Sequence, residues 1–179
     1  MHARRASPGA FAGDVWHPCA LGTRVIFLAE LGKRLVVLHA LAAMVLLGAV
    51  SHQVVVAAAA LRGKLNPRLV RVYGAIGVVA GAITIALGAV TYPSYRYYVR
   101  GLYLDHCDVS ASKLFDIKED LAVFALLLAG VVWLVGRELE RRSPRACFEL
   151  YAGAALALAC LVWFDALSGF LITLARGMP

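Results

Sequence analysis

Four long apolar segments constrain the fold of this chain more strongly than any other feature. They cover about residues 35–61, 69–91, 115–136 and 150–175. Each is close to the roughly 20 residues that an α-helix needs to cross a hydrocarbon core about 30 Å thick. Hydrophobic residues make up 61% of the sequence. The sequence therefore predicts an all-α, polytopic membrane protein with an antiparallel four-helix transmembrane bundle.

The four predicted spans form one membrane domain over residues 35–175. A tail of residues 1–34, with a short interfacial helix in it, precedes this domain, and residues 176–179 form a C-terminal tail. Turn-forming residues at 63–67 and 143–144 separate the first helix from the second and the third from the fourth. Because these connections are short, each of these two pairs should consist of antiparallel neighbours.

Basic residues are concentrated in the two short connections, which lie on one face of the membrane. Eight of the 18 are found there: Arg62, Lys64, Arg68, Arg71, Arg137, Arg141, Arg142 and Arg145. Under the positive-inside rule this face is cytoplasmic, so both termini are predicted to lie outside the cytoplasm. We interpret the membrane as a cell membrane, specifically a bacterial inner membrane. The net charge of +7 is explained by lipid headgroups, and no nucleic-acid partner is expected.

The predicted topology places Cys19 and Cys107 on the same, oxidising side of the membrane. There they either pair in a disulfide or remain two thiols, and the sequence leaves both alternatives open. The chain has no pattern of cysteine and histidine spacing that is typical of a metal site.

The second helix carries a face of small residues. It consists of Gly74, Gly77, Gly81, Thr84, Gly88 and Thr91, spaced three and four apart. In lipid, small residues allow helix backbones to approach closely. This face therefore predicts close packing against another helix, through Gly48 of the first or Gly153 of the fourth. A groove that holds a cofactor or a lipid tail is the alternative.

Residues 92–103 combine tyrosines with two arginines where the second helix leaves the membrane. Tyrosine is enriched at this depth, and Pro93 is expected to bend or end the span. Arg96 and Arg100, four residues apart, bind lipid headgroups in one interpretation. In the other they clamp a carboxylate or phosphate, such as a haem propionate.

Charged residues open the third helix at positions 116 and 118–120, where carboxylates suit the positive N-terminal end of a helix. This group is predicted to form a solvated cap, which could pair with Arg96 or Arg100.

Two histidines, His39 and His52, lie 13 residues apart on the first span. Membrane cytochromes b hold haems between histidines of neighbouring helices. Here 13 residues turn a helix through about 220°, so the two rings point to different sides. No other span contains a histidine, but His106 in the outer connection could approach His39 and complete one haem site. The alternative is that both histidines form structural hydrogen bonds.

Asp165 lies near the middle of the fourth span. A carboxyl at that depth is costly unless it is neutral or paired. We therefore expect a polar partner inside the bundle on the first or second helix, in the first place His39 or His52. Asp165 then either joins helices through a hydrogen bond or takes part in a proton, metal or cofactor site.

The segment Leu38-His39-Ala40-Leu41-Ala42-Ala43, followed by Gly48, resembles the first helix of small bacterial four-helix membrane proteins. These include the copper-resistance D-type proteins and related uncharacterised families. The resemblance covers about 20 residues. It implies copper handling or haem binding at His39. Only Met44 among the methionines lies in a span, so thioether ligands for copper(I) are scarce.

No enzymatic motif is present: the chain has no glycine-rich phosphate loop, HExxH or GxSxG sequence. The favoured interpretation is a non-enzymatic integral membrane protein in the lipid bilayer, such as a small subunit of a larger membrane complex or of a homo-oligomer. A haem b electron-transfer or quinone-interacting subunit is the first alternative. A copper-handling or other metal-handling membrane protein is the second.

Overall fold

The fold is seen in a computed structural model that describes residues 31–139 and 143–175. Its elements are α1 (Gly32–Leu61), α2 (Pro67–Tyr95), a π-helical segment (Arg96–Leu104), α3 (Asp105–Cys107), α4 (Val109–Glu138) and α5 (Arg145–Ala175). Four of these helical stretches are long and apolar enough to cross a membrane. The predicted all-α four-helix membrane bundle is confirmed. The predicted interfacial helix and Cys19 lie outside the described residues.

The spans are longer than the apolar segments alone predicted. The first begins at Gly32, the third at Val109 and the fourth at Arg145. The difference arises because polar turns such as Val109 to Asp120 continue the helix beyond its apolar segment. The chain between the second and third spans, which we expected to be a connection, is accordingly mostly helical.

The turn between α1 and α2 follows from three residues. Gly63 adopts the left-handed conformation (φ 77°) that ends α1, a conformation that favours glycine. The Asn66 side chain accepts hydrogen bonds from the backbone N–H groups of Arg68 and Leu69, at 3.2 and 3.3 Å. Pro67 occupies the first turn of α2, where its missing N–H costs nothing.

Pro93 does not end α2. The α-helix continues to Tyr95, and the chain then adopts π-helical hydrogen bonding from Arg96 to Leu104. Proline lacks an N–H, and π-helical turns occur where the regular hydrogen-bond ladder of an α-helix is interrupted. The short α3 follows, and the Asp108 side chain then begins α4 by accepting a hydrogen bond from Ala111 N at 3.0 Å.

The four long helices form a square. The helix α1 packs against α2 and α5, and α4 packs against the same two. This confirms that α1 and α2, and α4 and α5, are neighbours. We call half A the half of the bundle that contains the starts of α1 and α4 and the ends of α2 and α5, and half B the other half.

Candidate functional site

Lys118 enters the bundle from α4 in half A. Its side chain crosses to α5, since a Cβ atom at Gly169 would lie 3.2 Å from Lys118 Cε. Its Nζ lies 6.0 Å from the centre of the Phe115 ring. From this position the ammonium group interacts electrostatically with His39 of α1 and with Asp165 of α5. Lys118 of α4 thus brings its positive charge near ionisable groups of α1 and α5.

The depth of this cluster is fixed by the helices that carry it. Counted from the middle of each span, His39, Lys118 and Asp165 lie about 8–11 Å along the helix axes toward half A. The hydrocarbon core extends roughly 15 Å from its midplane. His39 and Asp165 lie inside the apolar segments of α1 and α5, where ionisable side chains are costly and are commonly functional, and Lys118 lies at the polar edge of the apolar segment of α4.

His39 is held by the glycine-rich face of α2. Its Nδ1 donates a hydrogen bond to the backbone oxygen of Thr84 at 2.9 Å. A carbonyl oxygen cannot donate, so Nδ1 carries the proton, and Nε2 of the neutral ring is left as the acceptor. The ring lies over Gly88, where an added Cβ would be 3.4 Å from His39 Cε1. A Cβ at position 88 would make ordinary van der Waals contact with this ring.

Asp165 is half-buried, and its Oδ1 is buried without a hydrogen-bond partner. The expected hydrogen bond from His39 or His52 is not among the contacts of the described residues. Lys118 instead provides the electrostatic interaction, and it comes from α4 rather than from the first or second helix. A carboxyl oxygen that lacks a partner in a low-dielectric site has the capacity to accept a proton or a donor.

Glu119 and Tyr95 extend the cluster toward the surface of half A. Glu119 is half-buried and interacts electrostatically with Lys118 and with Tyr95. The Tyr95 ring stacks on Phe115 with ring centres 4.9 Å apart, and its hydroxyl oxygen is buried without a hydrogen-bond partner. Ionisable side chains therefore occur from Asp165 to the end of the bundle at which α1 and α4 begin, which we call the mouth of half A.

Two arginines lie at this end of half A. Arg100 donates two hydrogen bonds to Asp116, at 2.5 and 3.0 Å, and its Nε lies 3.6 Å from Asp105. Arg96 donates to the Tyr92 hydroxyl at 2.8 Å. The pairing of Arg100 with an acidic residue of the third span agrees with expectation. Both predicted anion-binding arginines thus have partners within the chain.

His52 lies far from His39 along the bundle. His52 is exposed, donates from Nδ1 to Gly48 O at 2.8 Å and stacks on Tyr73 with ring centres 5.3 Å apart. Thr84, which holds His39, is about 16 Å along α2 from Tyr73. The two rings cannot share a haem iron, which contacts both axial ligands directly. His106 is exposed on α3.

Metal-binding groups are also scarce. Within residues 31–139 and 143–175, no three His, Cys, Asp or Glu residues are placed to hold a metal ion.

The glycine face of α2 packs between α1 and α4. An added Cβ at Gly74 would lie 3.1 Å from Trp133, and one at Gly81 would lie 3.3 Å from Leu126. Gly48 and Gly153, which we expected as partners, are exposed and have open space around them. The residues that fill the face are larger: Leu46, Gln53 and His39 of α1 and Leu126 and Trp133 of α4.

Half B contains a polar pair that sequence reasoning missed. Gln53 is 1% exposed and donates from Nε2 to the Tyr151 hydroxyl at 3.3 Å. Its Oε1 is buried without a partner and faces Gly77, where an added Cβ would be 3.9 Å away. This pair joins α1 to α5 by a neutral contact, in contrast to the charges of half A.

Lys118 was also missed, because its acidic neighbours suggested a solvated cap. The cap prediction holds for Asp116 and Asp120, which are exposed, but Lys118 and Glu119 are half-buried. The inward position of Lys118 could have been predicted from helical spacing. The inward seam of α4 runs through Ala111, Phe115, Lys118, Ala122, Ala125, Ala129, Val132 and Gly136, at alternating intervals of four and three.

No family model matches the chain, and no curated protein or solved structure is significantly similar to it. The class is therefore defined by the fold and the site. The protein is an integral membrane protein built as a four-helix bundle. Its distinguishing feature is an ionisable cluster in half A.

Proposed function

We propose that the protein is a non-enzymatic subunit of a larger membrane assembly, in which half A transfers protons between the membrane surface and Asp165. The observation that carries this proposal is the set of half-buried ionisable groups Asp165, Lys118 and Glu119 in half A, together with the buried Asp165 Oδ1 that lacks a hydrogen-bond partner. Chains of acidic and basic side chains inside a membrane commonly serve as proton relays.

The unsatisfied polar atoms of half A support transfer over a purely structural role. A structural polar cluster gains most when every buried donor and acceptor is paired. Here Asp165 Oδ1 and the Tyr95 hydroxyl oxygen both lack partners. Asp165 Oδ1 can accept a proton, and the Tyr95 hydroxyl oxygen can accept a hydrogen bond, without first breaking a bond to its neighbours.

The requirement for a partner subunit follows from where the series ends. The buried polar pair of half B, Gln53 and Tyr151, is neutral. A proton that reaches Asp165 therefore meets no carboxylate or amine along the buried part of half B that the structure describes. Passage to the other side of the membrane needs groups from a second protein or a second copy.

Infrared difference spectroscopy of the protein in lipid bilayers tests this function. The Asp165 carboxyl vibration is assigned by its loss in Asp165→Asn, and its hydrogen–deuterium exchange is followed after transfer to D₂O. Removing the Glu119 carboxylate should slow this exchange about tenfold or more, since Glu119→Gln removes a proton-transferring group. Glu138→Gln, an exposed change on the same helix in half B, is the control. Equal exchange rates in wild type and Glu119→Gln would contradict the relay.

The orientation that we propose places half A and both termini outside the cytoplasm of a bacterial inner membrane. Its support is the density of Lys and Arg in the two connections of half B. A reporter that is active only in the periplasm, inserted at residue 66 or fused to the C-terminus, measures it. We expect activity only from the C-terminal fusion, and the reverse pattern would invert the topology.

A second candidate function is contact with haem b or a quinone through His39. The observation in its favour is the bond from Nδ1 to Thr84 O, because ligating histidines usually donate their other N–H to such a carbonyl. In this case the second haem ligand comes from a partner protein. An absorption spectrum of the purified complex with a Soret band that is lost in His39→Ala would support it. A colourless preparation would exclude haem.

A further inference from the structure

A cleft of about 390 Å³ lies at the end of half B, where the chain turns from one span to the next. One wall is the α1–α2 connection with Leu61, Lys64 and Leu65, and the other is the start of α5 with Arg145 and Phe148. The cleft is at the opposite end of the bundle from the ionisable cluster, so its role is separate from proton transfer.

The charge of the cleft favours an anion. Lys64 is exposed, and no acidic residue lies between positions 61 and 71 of the chain. Arg145, exposed at the rim, donates from Nε to Glu149 at 2.9 Å. This bond uses only one edge of the guanidinium and leaves its terminal NH₂ groups to bind a phosphate oxygen.

The shape of the cleft favours a lipid over a free anion. Leu61, Leu65 and Phe148 supply an apolar wall below the basic groups. The helices α1 and α5, which flank the cleft, pack side by side and expose apolar residues such as Leu61 and Leu150 to the membrane. An acyl chain can therefore lie against these helices while the phosphate of the same molecule reaches Lys64 and Arg145.

We propose that this cleft binds the headgroup of an anionic phospholipid, with the lipid phosphate between Lys64 and Arg145. Basic pockets at the ends of transmembrane helices are suited to such headgroups. The positive-inside rule places this cleft at the cytoplasmic face, whose leaflet contains anionic lipids.

Native mass spectrometry of protein released from nanodiscs tests the proposal. Nanodiscs of phosphatidylglycerol and of phosphatidylcholine supply the two probes. Wild-type protein should retain phosphatidylglycerol and should not retain phosphatidylcholine at the same concentration. The double variant Lys64→Gln, Arg145→Gln should lose about thirtyfold or more in phosphatidylglycerol affinity, because each loses a direct charge-assisted hydrogen bond to the lipid phosphate that is worth roughly fivefold or more.

The matched control removes the same charge at the same end of the bundle. Arg68→Gln, Arg71→Gln changes two exposed basic residues that do not line the cleft, and it should retain phosphatidylglycerol. Equal loss in both double variants, or equal retention of the two lipids, would overturn the proposal. Displacement of the bound lipid by inorganic phosphate alone would show a site for a free anion and would overturn it as well.

Discussion

The two halves of this bundle are built from the same helices but differ in the polar groups that they bury. The buried polar contact of half B is neutral and joins Gln53 to Tyr151. Half A contains the half-buried ionisable groups Lys118, Asp165 and His39, and Asp165 Oδ1 lacks a hydrogen-bond partner there. Apolar burial could have filled half A as it fills half B. The charges of half A are the feature on which the proposed proton transfer rests.

Packing also differs between the halves along α2. Toward half B, Gly74 faces Trp133 with almost no free space, and at the centre Gly81 faces Leu126. In half A, Gly88 faces the His39 ring. One glycine face thus brings backbones together in one half and seats an ionisable ring in the other.

The largest effect is expected from filling the central contact. Gly81→Leu adds a side chain where even a Cβ would lie 3.3 Å from Leu126 and 3.9 Å from Leu46. We expect destabilisation of about 3 kcal/mol or more, since overpacking forces neighbouring helices apart. Gly48→Leu is the control, because Gly48 is exposed with open space around it. Thermal unfolding of both variants in detergent measures the difference, and equal stability would contradict the packing.

A smaller effect is expected from the charges of half A. Asp165→Asn removes the carboxylate that interacts with the Lys118 ammonium and should destabilise the protein by about 1–2 kcal/mol. Lys118→Met added to this variant should recover part of the loss, because the uncompensated charge is then gone. A double-mutant cycle should give a coupling energy of about 1 kcal/mol. Strictly additive effects would show that the two groups act independently.

The smallest effect is expected at the unsatisfied atom of half B. Gly77→Ser places a hydroxyl near Gln53 Oε1, since the added Cβ is 3.9 Å from that oxygen. The new hydrogen bond should stabilise the protein by about 1 kcal/mol relative to Gly77→Ala. The alanine variant controls for helix propensity, because it adds the same Cβ without the hydroxyl. A serine variant less stable than alanine would indicate that Gln53 Oε1 already has a donor.

The sequence predicts the fold well because length and hydrophobicity determine it physically. Segments long enough to span a membrane must be helical there, and short connections make them antiparallel neighbours. The glycine face of α2 was also visible from its spacing. Its partners were not, because Gly48 and His39 both lie on α1 and only the rotation of that helix decides which one faces α2.

The candidate site was predictable only in part. His39 and Asp165 stand out as polar groups within apolar segments, but their distance across the bundle depends on packing. Lys118 was hidden by Asp116, Glu119 and Asp120, whose charges suggest a solvated helix start. Its inward position follows from the seam through Phe115 and Ala125, a periodicity that charge composition does not reveal.

The proposed relay requires that half A communicate with water at the end where α1 and α4 begin, and that the buried part of half B exclude water. Two cysteines on the same face of α2 test it most directly: Gly88→Cys beside His39 and Gly77→Cys beside Gln53. Both are made after the four native cysteines are replaced by serine or alanine. A small, water-soluble methanethiosulfonate is then added to the protein in lipid bilayers. We predict that the cysteine at position 88 reacts and that the one at position 77 does not, and equal reactivity at the two positions would contradict the account.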